Sequence, residues 1–216
     1  MSADDVVAGT RFPLKKFRFL IASGPTQEPI DPVRFISNYS TGTMGKYLTW
    51  AAKKRGHKVT WVCSPEEART ATDLLKKLRG LIKNYDALVM ASAVCDVRPS
   101  RVSASKIRKD KLHAVSLKKN PDILAALAKR KKPGQVFIGF ALESENVLKN
   151  AFRKLKQKKL EAILVQKVTR TQSPFGDKKI DAFLLDKARR VERFRSATKK
   201  KIAETLIRRA ERFLID

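Results

Sequence analysis

The sequence predicts an α/β fold: a three-layer αβα, Rossmann-like, mainly parallel sheet with a C-terminal β-hairpin and helix. Three observations predict it. Apolar runs at residues 17–23, 58–63, 87–92, 135–141 and 162–165 alternate with segments of helical period, the pattern of parallel strands joined by crossover helices. The run at 87–92 is apolar throughout, as a strand covered on both faces must be. Near the C-terminus, runs at 180–185 and 191–194 flank a polar turn and precede a last amphipathic segment, which predicts a hairpin and a helix.

Each element has a local justification. Residues 1–16 are polar and patternless and are expected to be a loose arm. The first helix, 44–55, repeats Met44, Leu48, Ala51 and Ala52 at helical spacing and stops before Gly56. His57 lies in the following turn and is expected to be solvated. A second helix is expected over 66–81, with Ala68, Ala71, Leu74, Leu75 and Leu78 on one side. Residues 100–113 are basic and aperiodic and read as a mobile flap, or else as a solvated loop. A short strand is expected at 114–117. Asn120-Pro121-Asp122 opens a third helix, which Gly134 follows. In the fourth helix, 144–159, Val147, Leu148, Ala151 and Leu155 form the apolar side. Lys154 and Lys158 share one face at i,i+4 spacing, where an anion between them would relieve their repulsion. Residues 170–179 read as a loop, and Ser196 is expected to cap the last helix.

One stretch is out of scale with a plain connection. Residues 24–46, GPTQEPIDPVRFISNYSTGTMGK, join the first strand to the first helix, where connections usually run ~2–6 residues. Disorder is not expected, because Val33, Phe35 and Ile36 call for burial and Pro29 and Pro32 restrict the backbone. Gly42 and Gly45 would let backbone N–H groups approach an anion at a helix N-terminus. Arg34 offers a planar fork for phosphate or carboxylate, and Asn38 a neutral donor and acceptor. The string GTMGK is similar to half of a phosphate-binding loop. Its first glycine is misplaced, however, and Tyr47 stands where a magnesium-binding hydroxyl belongs. At the end of the third strand, small residues run into Asp96, the strand end at which open α/β sheets bind ligands; a turn cap is the alternative for that acid.

Composition bounds the rest. The chain has 216 residues, 43% of them hydrophobic, and suits one domain spanning 1–216. No apolar run reaches the ~18 residues of a spanning helix and no signal peptide opens the chain, so a cytoplasmic location without membrane contact is expected. Cys63 and Cys95 have no metal-ligand spacing and are expected to be buried and unbridged, and no metal site is expected. The net charge of +27 admits a basic Rossmann-like nucleic-acid-binding protein as an alternative function. The basic clusters at 129–132, 153–159 and 199–201 lack interleaved aromatics, which disfavours nucleic acid as the partner.

Several stretches then line up in order with one family. Ile21-Ala22-Ser23-Gly24, EPIDPVRFISNYSTGTMG, SAVCD, KIRK, KNPDIL and GFALE resemble phosphopantothenate–cysteine ligase of coenzyme A biosynthesis, from residue 17 to the last helix. The resemblance implies a stand-alone form lacking the flavin-dependent decarboxylase part often fused ahead of it. It implies that 4′-phosphopantothenate attacks the α-phosphate of CTP, or of ATP as in eukaryotic relatives. Pyrophosphate leaves, and L-cysteine captures the acyl-nucleotide. CTP is the expected co-substrate, with Mg2+ riding on the triphosphate and few protein ligands.

Residue by residue, the resemblance makes Lys106 the lysine that stabilises acyl-nucleotide formation. It makes Asn38 the residue that positions the intermediate, and both are the expected catalytic residues. Arg34, Gly42, Ser92 and Ala93 match substrate-binding positions, with Arg34 reaching phosphate within one subunit or across a dimer. Ala91, Ser92, Asp96, Lys106, Pro121, Asp122, Ile123, Leu124, Phe140, Lys154 and Lys158 match nucleotide-binding positions. A homodimer is implied, with the hairpin at 180–194 as its element. Pro25, Cys95, Val97 and Gln166 depart from a usual glycine, alanine, aromatic and asparagine, and bear on nucleotide preference more than on reaction type.

Overall fold

The computed structural model describes residues 15–169 and 175–216. Most of the expected N-terminal arm and residues 170–174 of the expected loop lie outside the described residues. The chain runs through β1 (Arg18–Pro25), a ribbon of β2 (Gln27–Pro29) and β3 (Phe35–Ser37), then α1 (Thr43–Lys54) and β4 (Lys58–Cys63). After α2 (Ala71–Leu81) and β5 (Ala87–Ala93), a second ribbon pairs β6 (Val97–Pro99) with β7 (Leu117–Lys119). The last part comprises α3 (Ile123–Ala128), β8 (Val136–Glu143), α4 (Val147–Gln157), β9 (Ala162–Lys167), β10 (Ile180–Asp186), β11 (Val191–Ala197) and α5 (Lys199–Ile215).

Seven strands form one sheet in the order β11-β10-β9-β8-β5-β1-β4. From β4 to β9 every neighbouring pair is parallel. The hairpin β10–β11 continues the sheet antiparallel to β9. Side chains alternate across the pleat. Phe19 and Ile21 face one layer, with Leu48 and Ala52 of α1 and Leu206 and Ile207 of α5. Leu20 and Ala22 face the other, with Leu74 and Leu78 of α2, Leu127 of α3 and Leu155 of α4. The chain leaves β1 for β4 on one side and then crosses to β5 on the other. Successive connections therefore diverge between β1 and β5 and leave a crevice at the strands' C-terminal ends.

Several local expectations are corrected. The second helix starts at Ala71 rather than at residue 66. Thr70 caps it, and the Thr70 and Asp73 side chains each accept the other's backbone N–H at 3.1 Å. Thr198, not Ser196, caps α5, accepting from Lys201 N at 3.2 Å. Ser196 stays in β11 because pairing with β10 runs on to Ala197. Leu148 is exposed, so the buried stripe of α4 rests on Ala151 and Leu155.

His57 is buried, not solvated. Its Nε2 lies 2.6 Å from Glu211 Oε1 of α5, and Arg55 Nε donates to the same oxygen at 2.5 Å. Phe17 N donates to His57 Nδ1 at 3.3 Å, which places the ring proton on Nε2, facing the carboxylate. The turn after α1 is thus clasped to α5. The expected flap at 100–113 is the excursion between β6 and β7, tied at its base by Ser100 N to Ser116 O at 2.8 Å. No helix among the described residues is long and apolar enough to cross a membrane.

Candidate functional site

The long loop after β1 is fixed by buried polar groups, not by apolar ones. Val33 is 59% and Phe35 44% exposed, against expectation. Thr26, Glu28 and Asp31 are buried instead. Thr26 Oγ1 accepts from Cys95 N at 3.0 Å, and Glu28 Oε1 accepts from Ala71 N at 2.8 Å. Asp31 accepts from the backbone N–H of Val33, Arg34 and Ile107 at 2.9, 2.8 and 3.1 Å. These bonds satisfy backbone donors and hold the loop against the end of β5, the start of α2 and the middle of the β6–β7 excursion.

A cavity of about 570 Å³ opens where these pieces meet, at the C-terminal ends of β5 and β8. Its first wall is the entry to α1. Gly42 lines it at φ 68, a left-handed conformation suited to glycine, and precedes a first turn with no side-chain cap. The α1 amides therefore end free of side-chain acceptors beside the cavity. Gly45 has a different role from the expected anion approach. A Cβ there would stand 2.1 Å from Ser23 Oγ, so this glycine lets α1 press onto β1 and β4.

Asn38 also lines the cavity, and its Nδ2 donates to Val94 O at 2.9 Å, which pins the loop to the end of β5. Ala91, Ser92 and Ala93 form the strand-end wall, where small side chains leave room for a ligand. Ser92 Oγ is buried and has no hydrogen-bond partner among the described residues.

The opposite wall carries Pro121, Asp122, Ile123 and Leu124 at the start of α3, with Phe140 of β8. Asp122 caps α3 by accepting from Ala125 N at 3.0 Å. Lys154 and Lys158 both line the cavity, but each already has a carboxylate: Lys154 Nζ is 2.6 Å from Glu143 and Lys158 Nζ 3.0 Å from Asp122. Asp96 lies on the rim, exposed, and its carbonyl accepts from Asn120 N at 2.8 Å. Its side chain is not a turn cap among the described residues.

Arg34 and Lys106 do not line this cavity. The Arg34 fork closes on Asp31 through Nε, at 3.0 Å, and NH2, and NH2 also donates to Ile107 O at 2.6 Å. That guanidinium holds the Asp31 carboxyl far below the usual carboxylate range, although burial opposes the shift. Lys106 is exposed in the residue just before this clamp. Burial pushes both thiols, Cys63 and Cys95, above their ordinary range, so neither is a ready nucleophile. Both are unbridged, as expected; Cys95 is buried and Cys63 half-buried.

Of the wall residues that sequence reasoning missed, two are polar and buried. Gln166 of β9 is buried, with Nε2 unpartnered among the described residues, although its departure from asparagine was a signal. Lys199, the first residue of α5, is 6% exposed, and its ammonium donates to Gly176 O. Burial pushes the Lys199 ammonium down, and the charge of Asp177 offsets this in part. In the sequence it sits within a basic run that reads as a wet surface. No group of three or more His, Cys, Asp or Glu side chains suited to a metal forms among the described residues.

A family model described as the DNA/pantothenate metabolism flavoprotein C-terminal domain matches residues 14–214. The chain is 36% identical over 213 residues to a protein named cysteine/cysteine sulfinic acid decarboxylase from an unknown prokaryotic organism, covering 93% of this chain and 59% of that one. It is 33% identical over 188 residues to coenzyme A biosynthesis bifunctional protein CoaBC of Borreliella burgdorferi, covering 81% and 47%. The chain thus spans about half the length of the curated relatives it matches. A crystal structure of the C-terminal domain of CoaBC superposes with a TM-score of 0.76 at 30% identity, covering 93% of this chain and 96% of that one.

Proposed function

The chain belongs to the DNA/pantothenate metabolism flavoprotein C-terminal domain family, and we propose that it joins 4′-phosphopantothenate to L-cysteine in coenzyme A biosynthesis, driven by a nucleoside triphosphate, with CTP preferred to ATP. The observation that carries the reading is one cavity with two unlike walls. One presents the uncapped α1 N-terminus with Asn38; the other presents Asp122, Phe140, Lys154 and Lys158. An acid and a nucleotide would meet between them.

In the proposed reaction a carboxylate oxygen of 4′-phosphopantothenate attacks the α-phosphorus. The bond to the β-phosphate oxygen breaks and pyrophosphate leaves. The cysteine amine then attacks the acyl carbon, loses a proton, and expels the nucleoside monophosphate. Bringing two anions together needs preorganised positive charge. Lys106 would supply it by folding in from the middle of the excursion, and Lys154 and Lys158 would exchange their carboxylates for phosphate oxygens. Asn38, pinned through Val94 O, would orient the acyl oxygen. Magnesium would travel with the triphosphate, and the exposed rim carboxylate of Asp96 would be available to hold it. A homodimer with the β10–β11 hairpin as its element belongs to the same reading.

The test is pyrophosphate release measured with each nucleoside triphosphate in turn, with and without 4′-phosphopantothenate and cysteine. Release that requires the acid and is fastest with CTP supports the proposal. Carbon dioxide from cysteine without nucleotide turnover would instead favour the chemistry named for the decarboxylase relative.

A further inference from the structure

Lys199 is misplaced by every local rule. A lysine in the first turn of α5 faces the positive end of the helix dipole. Its side chain is buried, where a charge is costly unless it is paired. The two other lysines of the cavity wall each hold a carboxylate within 3.0 Å. Lys199 has no ion pair among the described residues and holds only the carbonyl of Gly176. The one carboxylate that favours its charge through space, Asp177, is engaged by Tyr47 OH at 2.9 Å.

A second, independent observation points the same way. Two further donors of this cavity are unpartnered among the described residues: Gln166 Nε2, on a residue 9% exposed, and Ser92 Oγ. Native buried donors are nearly always satisfied, so two orphaned donors in one cavity mark a place where acceptor oxygens belong. The uncapped first turn of α1 adds backbone N–H groups to the same cavity. A buried ammonium, a carboxamide donor, a hydroxyl and helix-terminal amides together match an anion with several oxygens.

We infer that Lys199 and Gln166 form a phosphoanion subsite of this cavity, distinct from the Lys154/Lys158 wall. The inference deepens the proposed ligase reading and rests on it for the identity of the anion. Two substrates of that reading carry one: the polyphosphate of the nucleotide and the 4′-phosphate of the acid. Neutralising Lys199 restores the pairing that burial demands, so binding and the lysine's charge support each other. Lys199 is a binding residue in this inference: its ammonium already donates to one oxygen, Gly176 O, and would donate to the oxygens of the anion.

The test compares wild type with Lys199→Met, Lys199→Arg and Gln166→Leu. Pyrophosphate binding is measured by calorimetry on the whole chain, independently of any turnover. Lys199→Met is expected to weaken pyrophosphate, 4′-phosphopantothenate, or both by ~10–100-fold, the scale of a lost charge-assisted contact. Lys199→Arg restores most of it, and Gln166→Leu weakens the same ligand less. A loss confined to pyrophosphate assigns the subsite to the nucleotide, and a loss confined to 4′-phosphopantothenate assigns it to the acid. Unchanged affinity for both phosphates, or weakening of cysteine alone, overturns the inference. Because removing an unpaired buried charge does not itself unfold a protein, Lys199→Met should melt no lower than wild type. A lower melting temperature with both affinities intact would mean that the lysine only ties down Gly176. Absence of ligase turnover in wild type would sink the ligase reading while leaving the calorimetric comparison decisive for the subsite.

Discussion

The guanidinium of Arg34 donates to the backbone carbonyl of Ile107 at 2.6 Å, across 73 positions of sequence. Asp31 completes the clamp by accepting from Ile107 N at 3.1 Å while gripping Arg34. The loop after β1 and the excursion that carries Lys106 are therefore one mechanical unit. Arg34→Ala should free the excursion and lower kcat by ~10–100-fold, as small misplacements of a catalytic group do. It should also lower the melting temperature, because it leaves the buried Asp31 carboxylate without its cation. Steady-state kinetics with amide exchange at Ile107 checks this; unchanged protection there would refute the clamp.

Asn38 and Lys106 separate by stage of reaction. Lys106→Gln should slow pyrophosphate release by ~10²–10³-fold, the cost of one preorganised charge donor. Asn38→Asp should let the acyl-nucleotide form but hinder its capture by cysteine. Quenched-flow mass spectrometry would then find the intermediate accumulating in Asn38→Asp and absent in Lys106→Gln.

The clasp between the α1 turn and α5 predicts a pH dependence of stability. Burial alone would raise the Glu211 carboxyl, but hydrogen bonds from His57 and Arg55 outweigh it and hold the group below its ordinary range. A carboxyl lowered on folding stabilises the fold above its unfolded value, ~4.3, and that contribution fades as pH falls through the lower folded value. Urea midpoints should therefore drop as acid is added below about pH 4, and less steeply in Glu211→Gln. At neutral pH, Glu211→Ala should cost ~1–3 kcal/mol, because it leaves the buried His57 Nε2 donor without its carboxylate.

Gly45 sets how closely α1 approaches the sheet. A methyl group there would meet Ser23 Oγ at 2.1 Å and Trp61 Nε1 at 3.0 Å, breaking the 2.7 Å bond between those two side chains. Gly45→Ala should destabilise by ~1–3 kcal/mol in denaturant titrations, despite alanine's better helix propensity.

Sheet and helices were legible because they rest on short-range periodicity: the runs at 58–63 and 87–92 became β4 and β5 with ends shifted by at most one residue. Part of the wall was legible as well: a parallel sheet puts its ligands at strand ends, where Asp96 sits, and the family resemblance marked Ala91 and Ser92. What escaped depends on distant partners. His57 looked solvated because nothing near it in sequence reveals Glu211. Lys199 looked like a surface lysine because burial of α5 is decided by the sheet. Thr26, Glu28 and Asp31 looked like loop polarity, yet their partners lie at Cys95, Ala71 and Ile107.

The central claim is that a carboxylate of 4′-phosphopantothenate attacks the α-phosphorus in this cavity. The most direct measurement labels both carboxylate oxygens with 18O and follows the label through one turnover with cysteine. One 18O should appear in the released nucleoside monophosphate. Label in inorganic phosphate, or none leaving the acid, would contradict the account.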